Sequence, residues 1–332
     1  MSGRRVAVVG ATGAVGEEML RVLESRDFPV RDLVPLASSR SAGRKVRFRG
    51  MELPVQVLDQ NSFKGIELAL FSAGASVSRE LAPLAVKAGA IVVDNSSAFR
   101  MDPGIPLVVP QVNAHALQGH PGIIANPNCS TIIMVMAIHP IHRLSPIQRI
   151  VASTYQAASG AGAWAMEVLR REVRGEDVAS SGQKSPFPHR LSGNLIPRID
   201  TLQENGYTRE EMKVVLETRK IMELPAIPIS ATCVRVPVER AHSESVQVTT
   251  QRPLSLKEIR DAMSNAPGVT LVDDAAKDVY PMPLYVSGTD NVQVGRLRVH
   301  PSEPNTYDLW VVGDQIRKGA ALNAVEIAEE LF

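Results

Sequence analysis

A glycine-rich loop directly after the first apolar run constrains the fold of this chain more than any other feature. Val6–Val9 is β-rich and leads straight into Gly10-Ala11-Thr12-Gly13-Ala14-Val15-Gly16, within which a helical pattern begins. Glycines at this spacing permit a tight turn, close approach of the backbone to a pyrophosphate, and close contact between helix and strand. The pattern favours a dinucleotide-binding loop over a merely tight turn. Its expected cofactor contacts are Gly10, Thr12, Gly13, Ala14 and Val15.

The end of the second predicted strand indicates which dinucleotide is bound. In NAD-binding loops of this type, an acidic residue about twenty positions further on binds the ribose 2′-hydroxyl. Here Leu33–Ala37 is followed by Ser38-Ser39-Arg40-Ser41-Ala42-Gly43-Arg44, which contains hydroxyls and arginines but no acid. This chemistry suits a 2′-phosphate, so NADP is favoured over NAD, with Ser38, Arg40 and Ser41 as contacts. The alternative is that the two arginines are solvated loop charges.

The first 125 residues or so alternate short β-rich runs with helical patterns, which is typical of a parallel sheet covered by helices. Helical spacing is clearest for Val15, Met19 and Val22, and again from Val77 to Lys87. The predicted fold is therefore α/β, with a Rossmann-like doubly wound parallel sheet over residues 1–127. The candidate strands are Val6–Val9, Leu33–Ala37, Leu68–Phe71, Ile91–Asp94, Leu107–Val109 and Ile123–Ala125.

Longer β-rich runs follow, and they predict a second α+β domain with a mixed sheet over residues 128–313. Gly175–Pro197 is rich in Ser, Gly and Pro without periodicity and is predicted to be an exposed excursion. Residues 314–332 are predicted to form a helix that packs back on the first domain. The expected strands of the second domain are Ile150–Tyr155, Ile229–Val236, Ser245–Thr250 and Thr306–Val312, and the expected helices cover 162–174, 208–222 and 255–265.

Cys129 is the strongest candidate for a reactive group. Pro127 ends an extended segment just before it, and the apolar run Ile132–Met136 just after it suits a buried helix. A thiol at a helix start feels the positive helix end, which favours the reactive thiolate. The pattern predicts a nucleophile, and the alternative is a small buried core cysteine.

Composition and charge exclude several classes of function. The 332 residues, 44% of them hydrophobic, can bury a substantial core and favour two domains. Because 36 basic residues balance 35 acidic ones without long blocks of either sign, no nucleic-acid partner is expected. Cys129 and Cys233 make neither a disulfide framework nor a zinc site, so no metal is expected. Without a signal-type or membrane-spanning apolar run, the expected location is the cytoplasm.

An ordered series of motifs resembles a known family over essentially the whole chain. The series consists of the loop Gly10–Gly16, Asn128-Cys129-Ser130-Thr131, Ile229–Pro237, Ala241-His242-Ser243-Glu244-Ser245, Val311–Gln315 and Lys318–Ala321. Together these motifs resemble aspartate-semialdehyde dehydrogenase of the bacterial type. The resemblance implies a two-domain subunit, usually a homodimer, that reduces L-aspartyl 4-phosphate with NADPH to L-aspartate 4-semialdehyde and phosphate. It also implies a place in lysine or diaminopimelate, threonine and methionine synthesis.

The resemblance implies a role for each of several residues around Cys129. The thiolate would form a thioester with the acyl group, and His242 would be the general acid/base. Gln156 would hold its amide near the reacting thiol, and Arg235 would grip the substrate α-carboxylate with its planar fork. Ser159 and Gly160 would approach the nicotinamide half of the cofactor.

Further residues are implied for the phosphate, the amino group and the nicotinamide. Phosphate contacts would come from Arg100, Asn128 and Lys220, and Glu217 would bind the substrate amino group. The three-residue spacing of Glu217 and Lys220 on a predicted helix is equally consistent with a solvent-facing ion pair. The family often carries Asn at the position of Gln315, where the side chain orients the nicotinamide amide, and Gln keeps the same donor and acceptor on a longer arm.

Two rival interpretations remain open at this point. N-acetyl-glutamyl-phosphate reductase shares the nucleotide loop and the thiol chemistry, but it typically has Asn-Pro-Gly-Cys-Tyr where this chain has Asn-Pro-Asn-Cys-Ser. The other rival is a non-catalytic Rossmann binding protein. The joint presence of Cys129, Gln156, Arg235 and His242 argues against that second class.

Overall fold

The computed structural model describes residues 3–178 and 182–332. The described chain divides into two compact units. The first contains the residues up to Asn128 together with Gly319–Phe332, and the second is Cys129–Lys318. Residues 179–181, which belong to the predicted excursion, lie outside the described residues, as do residues 1 and 2.

The first unit combines a six-stranded sheet with a short hairpin and helices. In chain order its elements before Asn128 are β1 (Arg4–Val9), α1 (Ala14–Ser25), β2 (Val30–Ala37), β3 (Lys45–Phe48), β4 (Met51–Pro54), β5 (Gln56–Val57), β6 (Leu68–Phe71), α2 (Ala75–Lys87), β7 (Ile91–Asp94), α3 (Pro110–Asn113) and β8 (Ile123–Ala125). Strands β3 and β4 pair with each other as an antiparallel hairpin.

The six-stranded sheet is parallel throughout, in the order β5-β2-β1-β6-β7-β8. The chain first adds strands on one side of β1 and then returns to β6 on its other side, so the strand order reverses beside β1. In such sheets, ligands bind outside the carboxyl ends of the strands at this reversal. The loop Gly10–Gly16 leaves β1 at that place, and the predicted Rossmann-like doubly wound sheet is confirmed.

Alternating residues of β1 belong to two separate apolar clusters. Val6 and Val8 pack with Met19 and Leu23 of α1, whereas Ala7 and Val9 belong to the cluster that holds the apolar residues of α2. This alternation follows from the two-residue period of a strand, and burial on both faces is typical of a parallel sheet. The sheet is therefore a central layer covered on both sides.

One predicted strand of the first unit is wrong. Leu107–Val109 makes only an isolated bridge, from Leu107 to Ala125, and does not form a strand. The Asn113 side chain uses the backbone groups that a longer ladder would need: its Oδ1 accepts from the Val109 N–H at 2.9 Å, and its Nδ2 donates to the Leu107 carbonyl at 2.9 Å. Local side-chain bonds of this kind compete with sheet pairing.

The second unit is built on a mixed sheet with helices against it. In chain order its elements are α4 (Cys129–Leu144), β9 (Ile147–Gln156), α5 (Ala163–Val173), α6 (Arg209–Ile221), β10 (Ile229–Arg235), β11 (His242–Thr250), α7 (Leu256–Ser264), β12 (Val269–Leu271), α8 (Pro283–Val286), β13 (Val292–Val299) and β14 (Thr306–Gly313). A final helix, α9 (Leu322–Leu331), belongs to the first unit.

The mixed sheet has the order β10-β9-β11-β14-β13-β12. Strand β9 is parallel to β10 and antiparallel to β11, and β13 is antiparallel to β14 but parallel to β12. Helix α4 contacts β9, β11, β13 and β14, and it is flanked by α6 and α7. Since nearly every side chain from Ser130 to Ile141 is buried, α4 is a central core helix. The predicted second domain with a mixed sheet is confirmed.

Two predictions about irregular segments need correction. Within the predicted exposed excursion, Phe187, Leu191 and Ile196 are buried and pack against α5, so the described part is anchored by apolar contacts. The predicted helix over 314–332 begins later, because the Asp314 carboxylate accepts the N–H groups of Ile316 and Arg317 and forms a turn. A π-helical turn, Arg317–Ala321, then leads into α9, and the apolar side of α9 packs with α1 in the first unit.

Two searches of the described residues give negative results. No helix in that part of the chain combines the length and the apolar character that crossing a bilayer requires. Nor, within residues 3–178 and 182–332, do three or more His, Cys, Asp or Glu side chains cluster in a way that could hold a metal ion.

Candidate active site

The loop after β1 depends on the absence of side chains at two positions. Gly10 has a φ of +85°, and a Cβ there would lie 2.5 Å from the Ser72 carbonyl oxygen. A Cβ on Gly16 would lie 2.1 Å from the Gly10 carbonyl oxygen. Helix α1 begins at Ala14 with Gly13 as its N-cap, and the first N–H groups of a helix lack intrahelical acceptors. These donors and the positive helix end suit a pyrophosphate.

A hydrogen bond joins this loop to the segment predicted to bind the ribose. The Thr12 and Ser41 hydroxyl oxygens lie 3.0 Å apart. Ser38 and Arg40 are exposed at the end of β2, beside β1 in the sheet. The structure therefore brings Thr12, Ser38, Arg40 and Ser41 to one edge of the first unit.

Arg100 and Asn128 lie in the segments that lead to the nucleophile candidate. The Arg100 side chain is 7% exposed and donates from Nε to the Asn126 carbonyl at 2.9 Å and from Nη2 to the Asn95 carbonyl at 3.0 Å. These bonds fix the guanidinium to the residues that directly follow β7 and β8. Asn128 is buried and directly precedes Cys129.

The two cysteines have opposite environments. Cys129 is reduced, partly exposed and the first residue of α4, where the helix field favours the thiolate. Cys233 is fully buried within β10, and burial raises the pKa of its thiol. Because a buried protonated thiol is unreactive, Cys233 is a core residue.

Three predicted residues meet at the ends of neighbouring strands. Arg235 of β10 pairs with Gln156 of β9. Since Ser243 of β11 pairs with Tyr155 of β9, His242 lies opposite Gln156. Residues in such positions project from the same face of a sheet. The register therefore places a guanidinium, an amide and an imidazole in one row.

His242 is held in a defined protonation state. It is fully buried, its Nδ1 accepts from the Ala157 backbone N–H at 3.0 Å, and its Nε2 has no partner among the described residues. Burial, and then the nearby Arg235 charge, lower the pKa of His242 to about 3. Because Nδ1 acts as an acceptor, the neutral ring carries its proton on Nε2. His242 therefore presents a hydrogen-bond donor to the site.

Arg235 and Gly160 complete the wall beside this histidine. Arg235 is 7% exposed, and its Nη1 donates to the Ala157 carbonyl at 2.5 Å. Burial lowers the pKa of Arg235, while Glu210 and Cys129 act in the opposite direction. A Cβ on Gly160 would lie 3.0 Å from Arg235 Nη1 and 3.2 Å from His242 Nε2. The missing side chain therefore leaves space where the two polar groups meet.

Gln315 makes bonds that its predicted role did not include. Its Oε1 accepts from the Ala241 backbone N–H at 2.8 Å, and its Nε2 donates to the Ser159 hydroxyl. Ala241 has a φ of +71°, an uncommon conformation for a residue other than glycine. Gln315 thus stabilises the turn that precedes His242 and holds the Ser159 hydroxyl close to that turn.

Glu217 and Lys220 both lie on α6. Glu217 is only 1% exposed, which excludes the alternative of a solvent-facing ion pair for its carboxylate. It lies seven residues after Glu210, and since seven residues are close to two turns, both carboxylates are on one helix face. Helix α6 packs against α4 and β10, the elements that carry Cys129 and Arg235.

No role was predicted from the sequence for Ser130, Glu210 or Glu244. The Gln156 Nε2 donates to Ser130 Oγ at 2.8 Å and to Glu210 Oε1 at 3.0 Å. Glu210 follows Thr208 in a capping box, but it is Glu211 that closes the box, so helix-start chemistry gives Glu210 no signal of its own. Glu244 is part of the Ala-His-Ser-Glu-Ser motif, and alternation along β11 would have placed it on the same face as His242.

We expect Glu244 to make stability decrease with rising pH. Its carboxyl is fully buried, neither oxygen has a partner among the described residues, and burial raises its pKa well above the ordinary value of 4.5. The folded state therefore keeps a proton that the unfolded chain releases above pH 4.5. Stability is fully present below that pH and falls as the pH rises towards the folded-state pKa. Urea unfolding of the wild type and Glu244→Gln between pH 5 and 8.5 tests this, and the variant should gain relative stability with each pH step.

Glu204→Gln is the matched control, because Glu204 is exposed. Its unfolding free energy should follow the wild-type pH dependence throughout. Parallel curves for wild type and Glu244→Gln would mean that the buried carboxyl is already ionised in the folded protein.

Comparisons with known proteins agree on one family. The family profile described as Semialdehyde dehydrogenase, NAD binding domain, matches residues 5–120, and Semialdehyde dehydrogenase, dimerisation domain, matches residues 138–318. An aspartate-semialdehyde dehydrogenase of Synechocystis sp. is 54% identical over 98% of this chain and 97% of its own length. One from Bacillus subtilis is 50% identical over 99% of this chain and 97% of its own. A solved aspartate semialdehyde dehydrogenase II from Vibrio cholerae, complexed with ASA, has a TM-score of 0.94 and 43% identity, and covers 100% of this chain and 98% of that one.

Proposed function

Because the chain belongs to the aspartate-semialdehyde dehydrogenase family, we propose that it reduces L-aspartyl 4-phosphate with NADPH to L-aspartate 4-semialdehyde and phosphate. The observation that carries the proposal is the row of Arg235, Gln156 and His242 on the sheet that α4, with Cys129 at its start, packs against. The Vibrio cholerae relative complexed with ASA supports the semialdehyde as product. The product would serve lysine or diaminopimelate, threonine and methionine synthesis.

Cys129 is the nucleophile in this proposal. Its thiolate attacks the acyl carbon of the phosphorylated substrate, a C–S bond forms, and the C–O bond to phosphate breaks with its electron pair leaving on phosphate. NADPH, when bound, supplies the hydride that reduces the thioester carbon. The C–S bond then breaks, the aldehyde leaves, and the thiolate is restored.

His242 acts as a hydrogen-bond donor from Nε2. Each tetrahedral stage on Cys129 places negative charge on the former carbonyl oxygen, and a buried N–H donor stabilises that charge. The Ala157 N–H bond to Nδ1 keeps the ring oriented for this task. Gln156 holds its amide beside the reacting group.

Polar and charged side chains bind the two ends of the substrate, on either side of the reacting carbon. Arg235 binds the α-carboxylate, since a planar guanidinium suits a carboxylate, and Glu217 binds the amino group. Arg100, Asn128 and Lys220 bind the phosphate. The burial of Arg235 and Glu217 favours charge pairing with substrate over solvation by water.

The chain's own residues fit a dinucleotide. The start of α1, together with the tight backbone packing that Gly10 and Gly16 permit just before and within it, suits the pyrophosphate. Ser38, Arg40 and Ser41 are proposed to bind the 2′-phosphate of NADP. Ser159, Gly160 and Gln315 are proposed to bind the nicotinamide end. On this basis residues 1–127 form the NADP-binding domain and residues 128–313 the catalytic and dimerisation domain.

We expect Arg40→Ala to raise the KM for NADPH about 10- to 150-fold, because a hydrogen bond to a charged group contributes about 1.5–3 kcal/mol. The KM for NADH should stay unchanged, since NADH has no 2′-phosphate. Steady-state kinetics with both cofactors measures the difference. Arg47→Ala is the control, because Arg47 is an exposed arginine on β3 rather than at the β2 end. An equal loss for both cofactors would contradict 2′-phosphate binding by Arg40.

The proposal includes a homodimer in the cytoplasm. The dimerisation profile covers most of the second unit, and Trp310 stacks obliquely on Tyr155 on the sheet side away from α4. A cavity of about 430 Å³ beside Trp310 is lined by Tyr280 and Met282, while Leu284 and Tyr285 are exposed nearby. A second copy of the chain would cover this apolar surface. A reactive thiol at Cys129 favours a reducing compartment.

The deciding experiment is phosphate-dependent reduction of NADP by the purified protein with L-aspartate 4-semialdehyde, beside N-acetyl-glutamate semialdehyde. Activity with the first substrate alone supports the proposal. Activity with the second alone would favour N-acetyl-glutamyl-phosphate reductase. A folded protein that binds NADPH but turns over neither would be a Rossmann binding protein.

A further inference from the structure

The amide of Gln156 is held by two hydrogen bonds from the same nitrogen. Nε2 donates to Ser130 Oγ at 2.8 Å and to Glu210 Oε1 at 3.0 Å. An amide nitrogen has two hydrogens, and these bonds use both. The carbonyl oxygen, Oε1, is buried and has no partner among the described residues. It is therefore the polar atom that Gln156 offers to a bound molecule.

Glu210 is itself fixed from its other side. Its Oε2 accepts from Lys213 Nζ at 2.9 Å, and the same ammonium donates to Asp200 Oδ2 at 2.9 Å. Burial would lower the pKa of Lys213, but attraction to Glu210 and Asp200 outweighs it and raises that pKa. The ammonium therefore stays charged. Asp200 has a φ of +71° and lines a cavity of about 450 Å³ that Arg235 also lines. A chain of polar contacts thus runs from the cavity wall to the Gln156 amide.

The chemistry of a carboxylate decides which way the amide points. An ionised carboxylate only accepts hydrogen bonds, so the Gln156 atom at 3.0 Å from Glu210 Oε1 must be the nitrogen. A flipped amide would place two acceptor oxygens against each other in a buried place, a repulsive contact in place of a hydrogen bond, which is costly. Glu210 therefore excludes the flipped orientation.

We propose that Glu210, held by Lys213, is a positioning residue that keeps the Gln156 carbonyl oxygen, and not its N–H, directed at the reacting group. A donor at that place would hydrogen-bond the Cys129 thiolate and reduce its nucleophilicity, whereas an acceptor leaves the thiolate electron pair available. Gln156 also lies opposite His242 in the strand register, so both side chains project from the same face of the sheet. The role of Glu210 rests on the proposed function, because it acts on the thiol chemistry of that reaction.

The test compares two neighbouring isosteric substitutions, Glu210→Gln and Glu211→Gln. The two carboxylates are equally buried, at 6% and 7% exposed, but Glu211 accepts from the Thr208 and Cys233 backbone N–H groups and does not contact Gln156. Glu210→Gln should lower kcat about 100-fold, the order expected for a misplaced reacting group, and leave the KM for the semialdehyde little changed. Glu211→Gln should lower the Tm and leave kcat nearly unchanged.

A double-mutant cycle separates positioning from a general structural effect. If Glu210 acts through Gln156, adding Glu210→Gln to Gln156→Ala should cause almost no further loss of kcat. If Glu210→Gln fails to fold, Lys213→Met replaces it in the cycle, and it too should cause almost no further loss of kcat when added to Gln156→Ala. The proposal would be overturned if the kcat losses of Glu210→Gln and Gln156→Ala multiplied in the double variant. An equal kcat loss in Glu211→Gln would overturn it as well, and so would an unchanged kcat in Glu210→Gln. Each result is read only against an active wild type, so an inactive wild type contradicts the proposed function instead.

Discussion

Replacing Cys129 by alanine is expected to reduce phosphate-dependent turnover by at least about four orders of magnitude, the scale seen when a catalytic nucleophile is removed. The physical reason is that no thioester can form without the sulfur, and no other cysteine can substitute. Cys233 is buried, and burial raises the pKa of its thiol. The measurement is initial-rate NADP reduction with L-aspartate 4-semialdehyde and phosphate. Fluorescence titration should find NADPH affinity unchanged, because the loop Gly10–Gly16 belongs to the first unit.

Cys233→Ala is the matched control for this substitution. It removes the other thiol of the chain, and turnover should stay within about twofold of wild type, because a buried cysteine is chemically inert. Brief alkylation with iodoacetamide should modify Cys129 alone and inactivate the wild type and Cys233→Ala at the same rate. If Cys129→Ala turned over normally, the nucleophile assignment would be wrong and the non-catalytic interpretation would gain support.

Features encoded by local chemistry could be predicted from the sequence. The glycine spacing after an apolar strand needs no knowledge of distant residues, because only glycine fits the close approaches at Gly10 and Gly16. The start of α4 at Cys129 follows in the same way from Pro127 and the apolar run. Strands β6, β7 and β8 match their predicted bounds because buried parallel strands are short and mostly apolar.

Elements whose sequences lack the usual turn and strand signals could not be predicted. The hairpin β3–β4 turns at Arg49 and Gly50, both with positive φ, and an arginine at such a position is not a usual turn signal. Strand β13 has a register shift between Gly295 and Arg298, with a positive φ at Arg296, so its polar and apolar alternation is interrupted.

The protonation and orientation of the site residues could not be predicted either, because they depend on contacts between distant segments of the chain. The register that puts His242 opposite Gln156 joins strands far apart in the chain, and the Glu210 contact adds a third segment. Roles for His242 and Gln156 came from family resemblance, but their donor and acceptor atoms required the structure. Motifs indicate which groups take part, and three-dimensional contacts decide which atom each group presents.

His242→Ala should lower kcat about 10²- to 10³-fold, the usual cost of removing one hydrogen-bond donor to a developing oxyanion. The geometry favours the donor role, because the Ala157 N–H occupies Nδ1 and leaves the proton on Nε2. Burial, followed by the Arg235 charge, lowers the pKa of His242 to about 3, so the ring stays neutral from pH 5 to 9. The wild-type profile of kcat/KM should therefore show no ionisation of this residue near pH 6.5. His242→Gln, which keeps an N–H on a side chain of similar reach, should retain more activity than His242→Ala.

Thiol reactivity distinguishes this donor from a base that activates the nucleophile. A neutral imidazole provides no positive charge to stabilise the Cys129 thiolate, and with its proton already on Nε2 it cannot accept the thiol proton there. The pH dependence of Cys129 alkylation by iodoacetamide should consequently be the same in wild type and His242→Ala. A rise in the apparent pKa of Cys129 on removing the imidazole would contradict the donor role, because it would mean that a charged His242 had been holding the thiolate. Equal kcat losses in His242→Ala and His242→Gln would also contradict the donor role, since an amide can replace a hydrogen-bond donor but not a base.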